Sequence, residues 1–195
     1  MPNHVTRLGL FGGSFNPVHL GHLLVAQAAR EELHLDRVVF IPAAQSPFKP
    51  GLQLAPAERR LQMLRLALAG CSGCEVDDQE IERGGISYTI DTVRAYLARF
   101  ADAELFYLIG ADHVAQLGAW RDAAELARMV QFLIIPRPGK VAEMPPAPFR
   151  AVVLQGFPIA ISASQIRQRV KEGKPIDWLV PSGVAEVIRN NRLYI

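Results

Sequence analysis

The chain has 195 residues, half of them apolar, and a formal net charge of +2 from 21 lysines and arginines against 19 acidic residues. This length suffices for one well-buried domain and is short for two. The balanced charge gives no field that would indicate a nucleic acid or membrane partner, and no apolar run approaches the length of a membrane span. The start of the chain lacks the pattern of a signal peptide, so we expect a cytoplasmic protein.

Predicted strands and helices alternate along the chain. The apolar runs that predict strands lie at residues 5–11, 37–41, 75–77, 105–109, 130–135, 152–154 and 159–161. The patterns that predict helices lie at residues 21–33, 57–69, 89–100, 114–117, 122–128, 164–172 and 182–190. This alternation predicts a Rossmann-like, doubly wound α/β fold, with a mainly parallel sheet covered by helices on both faces. We expect one domain over residues 1–195, with a C-terminal helical part from about residue 162 packed on it.

A glycine turn and two histidines follow the first predicted strand, in the stretch GGSFNPVHLGH from Gly12 to His22. A strand, a glycine turn and a helix present backbone N–H groups to phosphates, and His19 and His22 can point the same way from the helix start. The stretch has neither a Walker pattern nor G-x-G-x-x-G, so no bound dinucleotide cofactor is expected. Capping histidines or two metal ligands remain alternatives, although a zinc site needs three or four protein ligands.

Other polar residues also follow predicted strands, where ligands bind in open α/β sheets. They are Lys49, Asp112 and Arg167, and no nucleophile with an adjacent base accompanies them. This inventory suits a substrate that supplies its own nucleophile, such as a phosphate monoester attacking the α-phosphorus of ATP. Catalysis would then consist of aligning two anions and stabilising the leaving pyrophosphate. Cationic side chains, helix N-termini and Mg²⁺ on the ATP phosphates are the expected means.

Two motifs resemble the signatures of the nucleotidyltransferase superfamily. The first stretch is close to G-x-F-x-P-x-H-x-G-H, and ISASQIR from Ile161 to Arg167 is similar to I-S-S/A-T-x-I-R, with Ser164 in place of threonine. The order and spacing of both motifs resemble the bacterial nicotinate mononucleotide adenylyltransferase family from Leu8 to Tyr194. The resemblance implies a nucleotidyltransferase fold, ATP and nicotinate mononucleotide as substrates, deamido-NAD and pyrophosphate as products, and Mg²⁺ as cofactor.

The resemblance also implies roles for individual residues. The catalytic residues would be His19, His22, Lys49 and Arg167. The ATP-binding residues would be Gly12, Gly13, Ser14, Phe15, His19, His22, Gly110, Asp112, Ile161, Ser162, Ser164 and Arg167. The residues facing nicotinate mononucleotide would be Ser87, Tyr88, Thr89 and Trp120. Two positions depart from the family: Phe48 stands where a histidine is common, and Asn16 replaces an aspartate while being expected to keep the local turn bonds.

The residues at the acceptor end also have a physical interpretation of their own. Ser87 and Thr89 precede an apolar helix as capping residues would, and a helix N-terminus favours the carboxylate of nicotinate over a neutral amide. Trp120 is expected to stack on the pyridine ring, with core packing as the alternative. Ser164 as an N-cap and Asp112 as the cap of the following helix are structural alternatives, and Arg167 is expected in the first turn of its helix.

Other functions stay open on the sequence alone. Nicotinamide mononucleotide or phosphopantetheine could be the acceptor, and a regulatory protein could keep the nucleotide pocket without turnover. The pair Cys71 and Cys74 has the C-x-x-C spacing of redox and zinc proteins, but it follows a helical pattern instead of opening a helix, so a turn with two incidental thiols is expected. A homo-oligomer is compatible with the sequence.

Overall fold

The computed structural model describes residues 6–48, 53–137, 139, 142–157 and 159–195. Its strands form one parallel sheet in the order β3-β2-β1-β4-β5-β6. The strands are β1 (Arg7–Gly13), β2 (Arg37–Pro42), β3 (Cys74–Val76), β4 (Glu104–Gly110), β5 (Val130–Ile135) and β6 (Ala151–Val153). The predicted doubly wound parallel sheet is therefore confirmed.

Helices connect the successive strands from β1 to β5, two more follow β6, and together they cover both faces of the sheet. They are α1 (Leu20–Leu33), α2 (Ala57–Ala67), α3 (Gln79–Arg83), α4 (Thr89–Arg99), a 3₁₀ helix (Ala111–Ala119), α5 (Ala123–Met129), α6 (Ala163–Lys171) and α7 (Ser182–Asn190). In the part of the chain that the structure describes, no helix is both long and apolar enough to cross a membrane.

The order of the strands reverses between β1 and β4. β1 pairs with β2 on one side, where Phe11 lies opposite Phe40, and with β4 on the other side, where Leu10 lies opposite Tyr107. The connections leaving β1 and β4 therefore diverge, and a crevice opens at their carboxyl ends. In doubly wound sheets this crevice is where ligands bind.

Alternate residues of the central strands belong to two separate cores, because successive side chains of a strand point to opposite faces. Phe11 and Phe40 lie in one core, together with apolar residues of α1, α2, α6 and α7. Leu10 and Val39 lie in the other core, with residues of α4, α5 and the 3₁₀ helix. The two C-terminal helices thus pack on the same face of the sheet as α1 and α2.

Two local predictions were wrong. Residues 159–161, predicted as a strand from their apolar run, form no strand; Ile159 is 40% exposed and lies on the wall of the crevice. An apolar run becomes a strand only with a neighbouring strand to pair with, and the sheet ends at β6. The short helix α3 was missed because its five residues, QEIER, carry no apolar period.

Gly12→Ala is expected to lower the free energy of unfolding by about 2 kcal/mol, the usual cost of overfilling a packed site. A Cβ on Gly12 would lie 2.3 Å from the hydroxyl oxygen of Tyr107, which is buried. Tyr107→Phe removes that oxygen, so the double variant should recover much of the loss. Denaturant unfolding of both single variants and the double variant measures this; strictly additive losses would contradict the close approach.

Candidate active site

A cleft of about 1180 Å³ opens at the carboxyl ends of β1 and β4. It brings together all the residues that the resemblance assigned to ATP and that the structure describes. They are Gly12, Gly13, Ser14, Phe15, His19, His22, Gly110, Asp112, Ile161, Ser162, Ser164 and Arg167. Lys49 lies outside the described residues, so its predicted role stays a prediction.

The two histidines form a close pair of tilted rings at the start of α1. Their ring centroids are 3.7 Å apart, and the backbone N–H of His19 donates to Nδ1 of His22 over 3.2 Å. His19 occupies the N-cap position of α1. A Cβ on Gly21 would lie 3.0 Å from Nδ1 of His19, so this glycine leaves the room that the ring occupies. Both imidazoles consequently line the cleft beside the helix N-terminus, as the sequence predicted.

Burial determines the protonation of His19. Desolvation, with a smaller contribution from the charge of Arg137, lowers the pKa of His19 to about 4. Its Nδ1 atom is buried and has no hydrogen-bond partner among the residues that the structure describes. At neutral pH this imidazole is therefore uncharged. His19 is suited to donating a hydrogen bond to a phosphate oxygen instead of acting as a point charge.

The second motif opens α6. Ser162 is the N-cap: its hydroxyl accepts from the N–H of Gln165 over 3.3 Å, and its own N–H donates to Oε1 of Gln165 over 3.0 Å. The Ser164 hydroxyl lies 3.1 Å from that of Ser162. The suggested N-cap role of Ser164 was wrong, because the helix begins one residue earlier, at Ala163. For the same reason Arg167 lies in the second turn and not in the first.

A hydrogen bond joins the two motifs across the cleft. Nη1 of Arg167 donates to the carbonyl oxygen of Asn16 over 2.8 Å. The Asn16 side chain is 2% exposed, and its Oδ1 accepts from the N–H of Ala55 over 3.0 Å and from the Tyr194 hydroxyl over 2.8 Å. The expected local turn bonds of Asn16 were therefore wrong: its side chain fastens the glycine turn to distant segments of the chain.

Arg60 is a buried cation that the sequence interpretation overlooked. Its guanidinium donates to three backbone carbonyls, those of Ser14, Ala43 and Ala55, over distances of 2.7 to 3.1 Å. It thereby ties the glycine turn to the two ends of the loop between β2 and α2. The available signal was its spacing, because Arg60 shares the buried face of α2 with Met63 and Leu64.

Ser87, Thr89 and Trp120 line the other end of the cleft, and Tyr88 is not among the lining residues. The expected capping by Ser87 and Thr89 was wrong, since α4 has Tyr88 as its N-cap and no side-chain cap bond. The Ser87 hydroxyl accepts from the N–H of Ala44 over 3.0 Å, and the Thr89 hydroxyl donates to that of Tyr107 over 3.3 Å. Both side chains fasten this segment to neighbouring elements.

Trp120 lies in an aromatic cluster on the wall of the cleft. Its ring centroid is 5.4 Å from that of Phe48, and 6.2 Å from those of Tyr107 and Phe132. Its indole Nε1 is buried without a hydrogen-bond partner in the described part of the chain. Trp120 thus packs against neighbouring rings and also faces the cleft. Phe48 contacts this aromatic cluster from the loop after β2.

Asp112 and Arg137 form an ion pair at the rim of the cleft. Nε of Arg137 donates to Oδ2 of Asp112 over 2.9 Å, and both side chains are about half exposed. The 3₁₀ helix has Gly110 as its N-cap, so the alternative role of Asp112 as a cap was wrong. Arg137 is a second cleft cation that the sequence interpretation left without a role.

Within the described residues, no group of three or more His, Cys, Asp or Glu side chains could hold a metal ion. A magnesium ion that arrives on substrate phosphates needs no such cage, because it keeps several waters and binds through phosphate oxygens. The side chains lining the cleft fit a metal–triphosphate complex whose ion is held by the nucleotide.

Cys71→Ser combined with Cys74→Ser should leave turnover within about twofold of the wild type, since serine has nearly the shape of cysteine and both positions lie away from the cleft. Both thiols are free and neither lines the cleft. Burial raises the pKa of Cys74 to about 12, so its thiol stays protonated and unreactive. Steady-state kinetics of the double variant measures this; a large loss of turnover would revive the redox interpretation.

Known proteins provide an independent comparison. Residues 10–169 match the family model described as cytidylyltransferase-like. The chain is 42% identical to a probable nicotinate-nucleotide adenylyltransferase of Opitutus terrae, over 96% of this chain and 97% of that protein. It is also 42% identical to the probable enzyme of that name from Thermus thermophilus, over 96% of this chain and 99% of the relative.

The fold is shared with more distant solved structures. One is the nicotinic acid mononucleotide adenylyltransferase of Plasmodium falciparum in complex with NaAD, with a TM-score of 0.79, 17% identity and 97% of both chains covered. Another is the putative nicotinate-nucleotide adenylyltransferase of Vibrio parahaemolyticus, with a TM-score of 0.70, 20% identity, and 97% of this chain and 95% of that chain covered. Together with the full-length relatives, the matched motifs lead to one conclusion: the chain belongs to the nicotinate-nucleotide adenylyltransferase family within the cytidylyltransferase-like proteins.

Proposed function

We propose that this protein transfers the adenylyl group of ATP to nicotinate mononucleotide. A phosphate oxygen of the mononucleotide attacks the α-phosphorus of ATP and forms a new P–O bond. The bond between the α-phosphorus and the α–β bridging oxygen breaks, and pyrophosphate leaves with that electron pair. The products are nicotinate adenine dinucleotide and pyrophosphate, and no general base is needed because the attacking oxygen is already ionised.

The observation that carries this proposal is the meeting of the two motifs in one cleft. The close pair of His19 and His22 at the start of α1 faces the same cavity as Ser162 and Arg167 of the second motif. Two helix N-termini and the guanidinium provide hydrogen-bond donors for a triphosphate. In our proposal these groups stabilise the negative charge that builds on the leaving pyrophosphate in the transition state.

The opposite end of the cleft suits the acceptor. Trp120 and Phe48 present aromatic surface against which a pyridine ring can pack. The N-cap residue of α4, Tyr88, makes no side-chain hydrogen bond to the N–H groups of the first turn, which begins at Thr89. Those groups carry partial positive charge, so they favour a carboxylate over a neutral amide. This supports nicotinate mononucleotide as the preferred acceptor.

We also propose that Mg²⁺ enters with ATP, held by the phosphates, where it would neutralise part of their charge. The chain's own groups then orient the complex: His19 donates a hydrogen bond, Arg167 supplies a positive charge, and Arg60 holds the glycine turn in place. The cytoplasmic location, a possible homo-oligomer and the role of Lys49 stay predictions from the sequence.

Pyrophosphate release tests the proposed reaction. The purified protein with ATP and Mg²⁺ should release pyrophosphate rapidly with nicotinate mononucleotide and more slowly with nicotinamide mononucleotide. Equal release with both acceptors would keep adenylyl transfer and contradict the account of the acid preference. Release only with phosphopantetheine would replace the acceptor, and no release with any of the three would favour a non-catalytic protein.

Trp120→Ala should raise the KM for nicotinate mononucleotide about tenfold, from the loss of one aromatic contact, and change the KM for ATP much less. Trp178→Ala is the matched control, because Trp178 is 90% exposed and lies outside the cleft. Initial rates with each substrate varied in turn measure both constants. Equal increases in the two constants would mean that Trp120 acts only through packing.

A further inference from the structure

Glu80 is a buried carboxylate on the wall of the cleft that the reaction does not use directly. It lies in α3, its side chain is 4% exposed, and it lines the end of the cleft where Ser87 and Thr89 also lie. A buried carboxylate is costly unless hydrogen bonds satisfy it. The partners of Glu80 therefore indicate why the fold keeps it there.

Two hydroxyl groups converge on this carboxylate. The Thr92 hydroxyl donates to Oε1 over 2.5 Å. The Ser87 hydroxyl interacts with the same carboxyl group and lowers its pKa, against the larger effect of burial, which raises it. Each hydroxyl oxygen in turn accepts from another donor: Thr92 from Nη2 of Arg83 over 3.2 Å, and Ser87 from the N–H of Ala44 over 3.0 Å. With a donor already at each oxygen, the Thr92 proton is directed at Glu80 and the Ser87 proton is left free to point the same way. A side chain that only accepts hydrogen bonds suits this position, and an ionised carboxylate is such a group.

The Ser87 segment is also tied to the loop that follows β2. The N–H of Ser87 donates to the carbonyl of Gln45 over 2.9 Å, and Gln45 forms a parallel bridge with Ile86. Three residues beyond Gln45 lies Phe48, whose ring packs on Trp120. Glu80 thus lies next to the Ser87 segment, which is paired with the loop carrying Phe48. These two segments together form the acceptor end of the cleft.

We propose that Glu80 is a positioning residue for the acceptor mononucleotide, which fixes the Ser87 hydroxyl and thereby the wall formed by Ser87, Thr89 and the loop carrying Phe48. Glu80 reaches the substrate only through these groups. The triphosphate end of the cleft is held separately, by Arg60 and by the bond between Arg167 and Asn16. A change at Glu80 should therefore affect the acceptor and not ATP. This inference rests on the proposed function.

Glu80→Gln tests the role, because it keeps the shape of the side chain and leaves one acceptor oxygen for two hydroxyl protons. The KM for nicotinate mononucleotide should rise about fivefold, as expected for one weakened buried hydrogen bond, with the KM for ATP changing by less than about twofold. Glu82→Gln is the matched control, since Glu82 lies on the same helix, is exposed and does not line the cleft. It should leave both constants unchanged.

A double-mutant cycle with Ser87→Ala separates positioning from general stabilisation. If Glu80 acts through the Ser87 hydroxyl, Glu80→Gln should add less than about twofold to the KM of the Ser87→Ala variant. Effects that multiply, or equal increases in both KM values, would overturn the proposal, and thermal unfolding confirms that each variant is folded. Absence of turnover in the wild-type protein would instead mean that the proposed function has failed.

Discussion

His19→Ala should lower kcat by about 10²-fold or more, because in our proposal it removes a hydrogen-bond donor to the triphosphate as charge develops there. His19 is buried at the start of α1, and its ring centroid lies 3.7 Å from that of His22. His19→Asn separates catalysis from helix capping, since asparagine is among the best N-cap residues and lacks the imidazole. Both variants should lose turnover, while the asparagine variant keeps more of its stability. Single-turnover rates with saturating substrates measure the chemical step.

His34→Asn is the matched control for this experiment. His34 is exposed, ends α1 in a left-handed conformation that asparagine tolerates, and lies outside the cleft. Its substitution should leave kcat unchanged. Turnover of His19→Asn within about threefold of the wild type would contradict a role in the transition state, because a lost oxyanion-type donor costs far more than that.

The protonation of His19 gives the same residue a signature in stability. Its pKa is about 4 in the folded protein, below the ordinary value of 6.5. Between these two values the unfolded chain binds more protons than the folded protein, so stability rises with pH there. The contribution of neutral His19 is complete above about pH 6.5 and is lost as the pH falls towards 4. In the His19→Asn variant the decline in the free energy of unfolding over that window should be shallower.

Arg167→Met should lower kcat/KM by about 10²-fold, because it removes the proposed charge-assisted contact to phosphate together with the bond to the glycine turn. Nη1 of Arg167 bonds to the carbonyl of Asn16, so this side chain both lines the cleft and holds the first motif in register with the second. Arg167→Lys keeps the charge but not the planar fork of donors, and should recover only part of the loss. Initial rates with ATP varied measure the effect.

Lys171→Met is the control for the helix itself. Lys171 is the last residue of α6, is exposed and lies away from the cleft. It should leave kcat/KM unchanged, whereas an equal loss in both variants would mean that Arg167 acts only through helix stability. Complete recovery by Arg167→Lys would show that positive charge alone suffices at this position.

Periodicity and strand ends predicted the architecture because a parallel sheet obliges its strands to be apolar. The apolar sequences of β4 and β5 could therefore be recognised as strands. The residues that follow β1 and β4 could be placed at the carboxyl edge of the sheet without knowledge of any contact. The strand predicted at residues 159–161 had the same apolar character but no neighbour to pair with. Whether a neighbour exists is a property of the whole sheet, which no local window contains.

The supporting residues of the site were harder to predict, since their partners are distant in sequence. The Asn16 side chain accepts hydrogen bonds from Ala55 and Tyr194. The guanidinium of Arg60 donates to the carbonyl of Ser14 in the glycine turn and to that of Ala43 after β2. The neutral state of His19 likewise follows from burial by the folded chain. Glu80 was invisible for a further reason: in the sequence it reads as one charge among several in a polar segment.

The fate of the α-phosphorus tests the central claim most directly. The protein is mixed with Mg²⁺, nicotinate mononucleotide and ATP labelled at either the α- or the γ-phosphorus, and the products are separated. The account predicts that the α-label moves into a dinucleotide containing nicotinate while the γ-label leaves in pyrophosphate. A γ-label found on the mononucleotide, or an α-label that never leaves ATP, would contradict adenylyl transfer by this cleft.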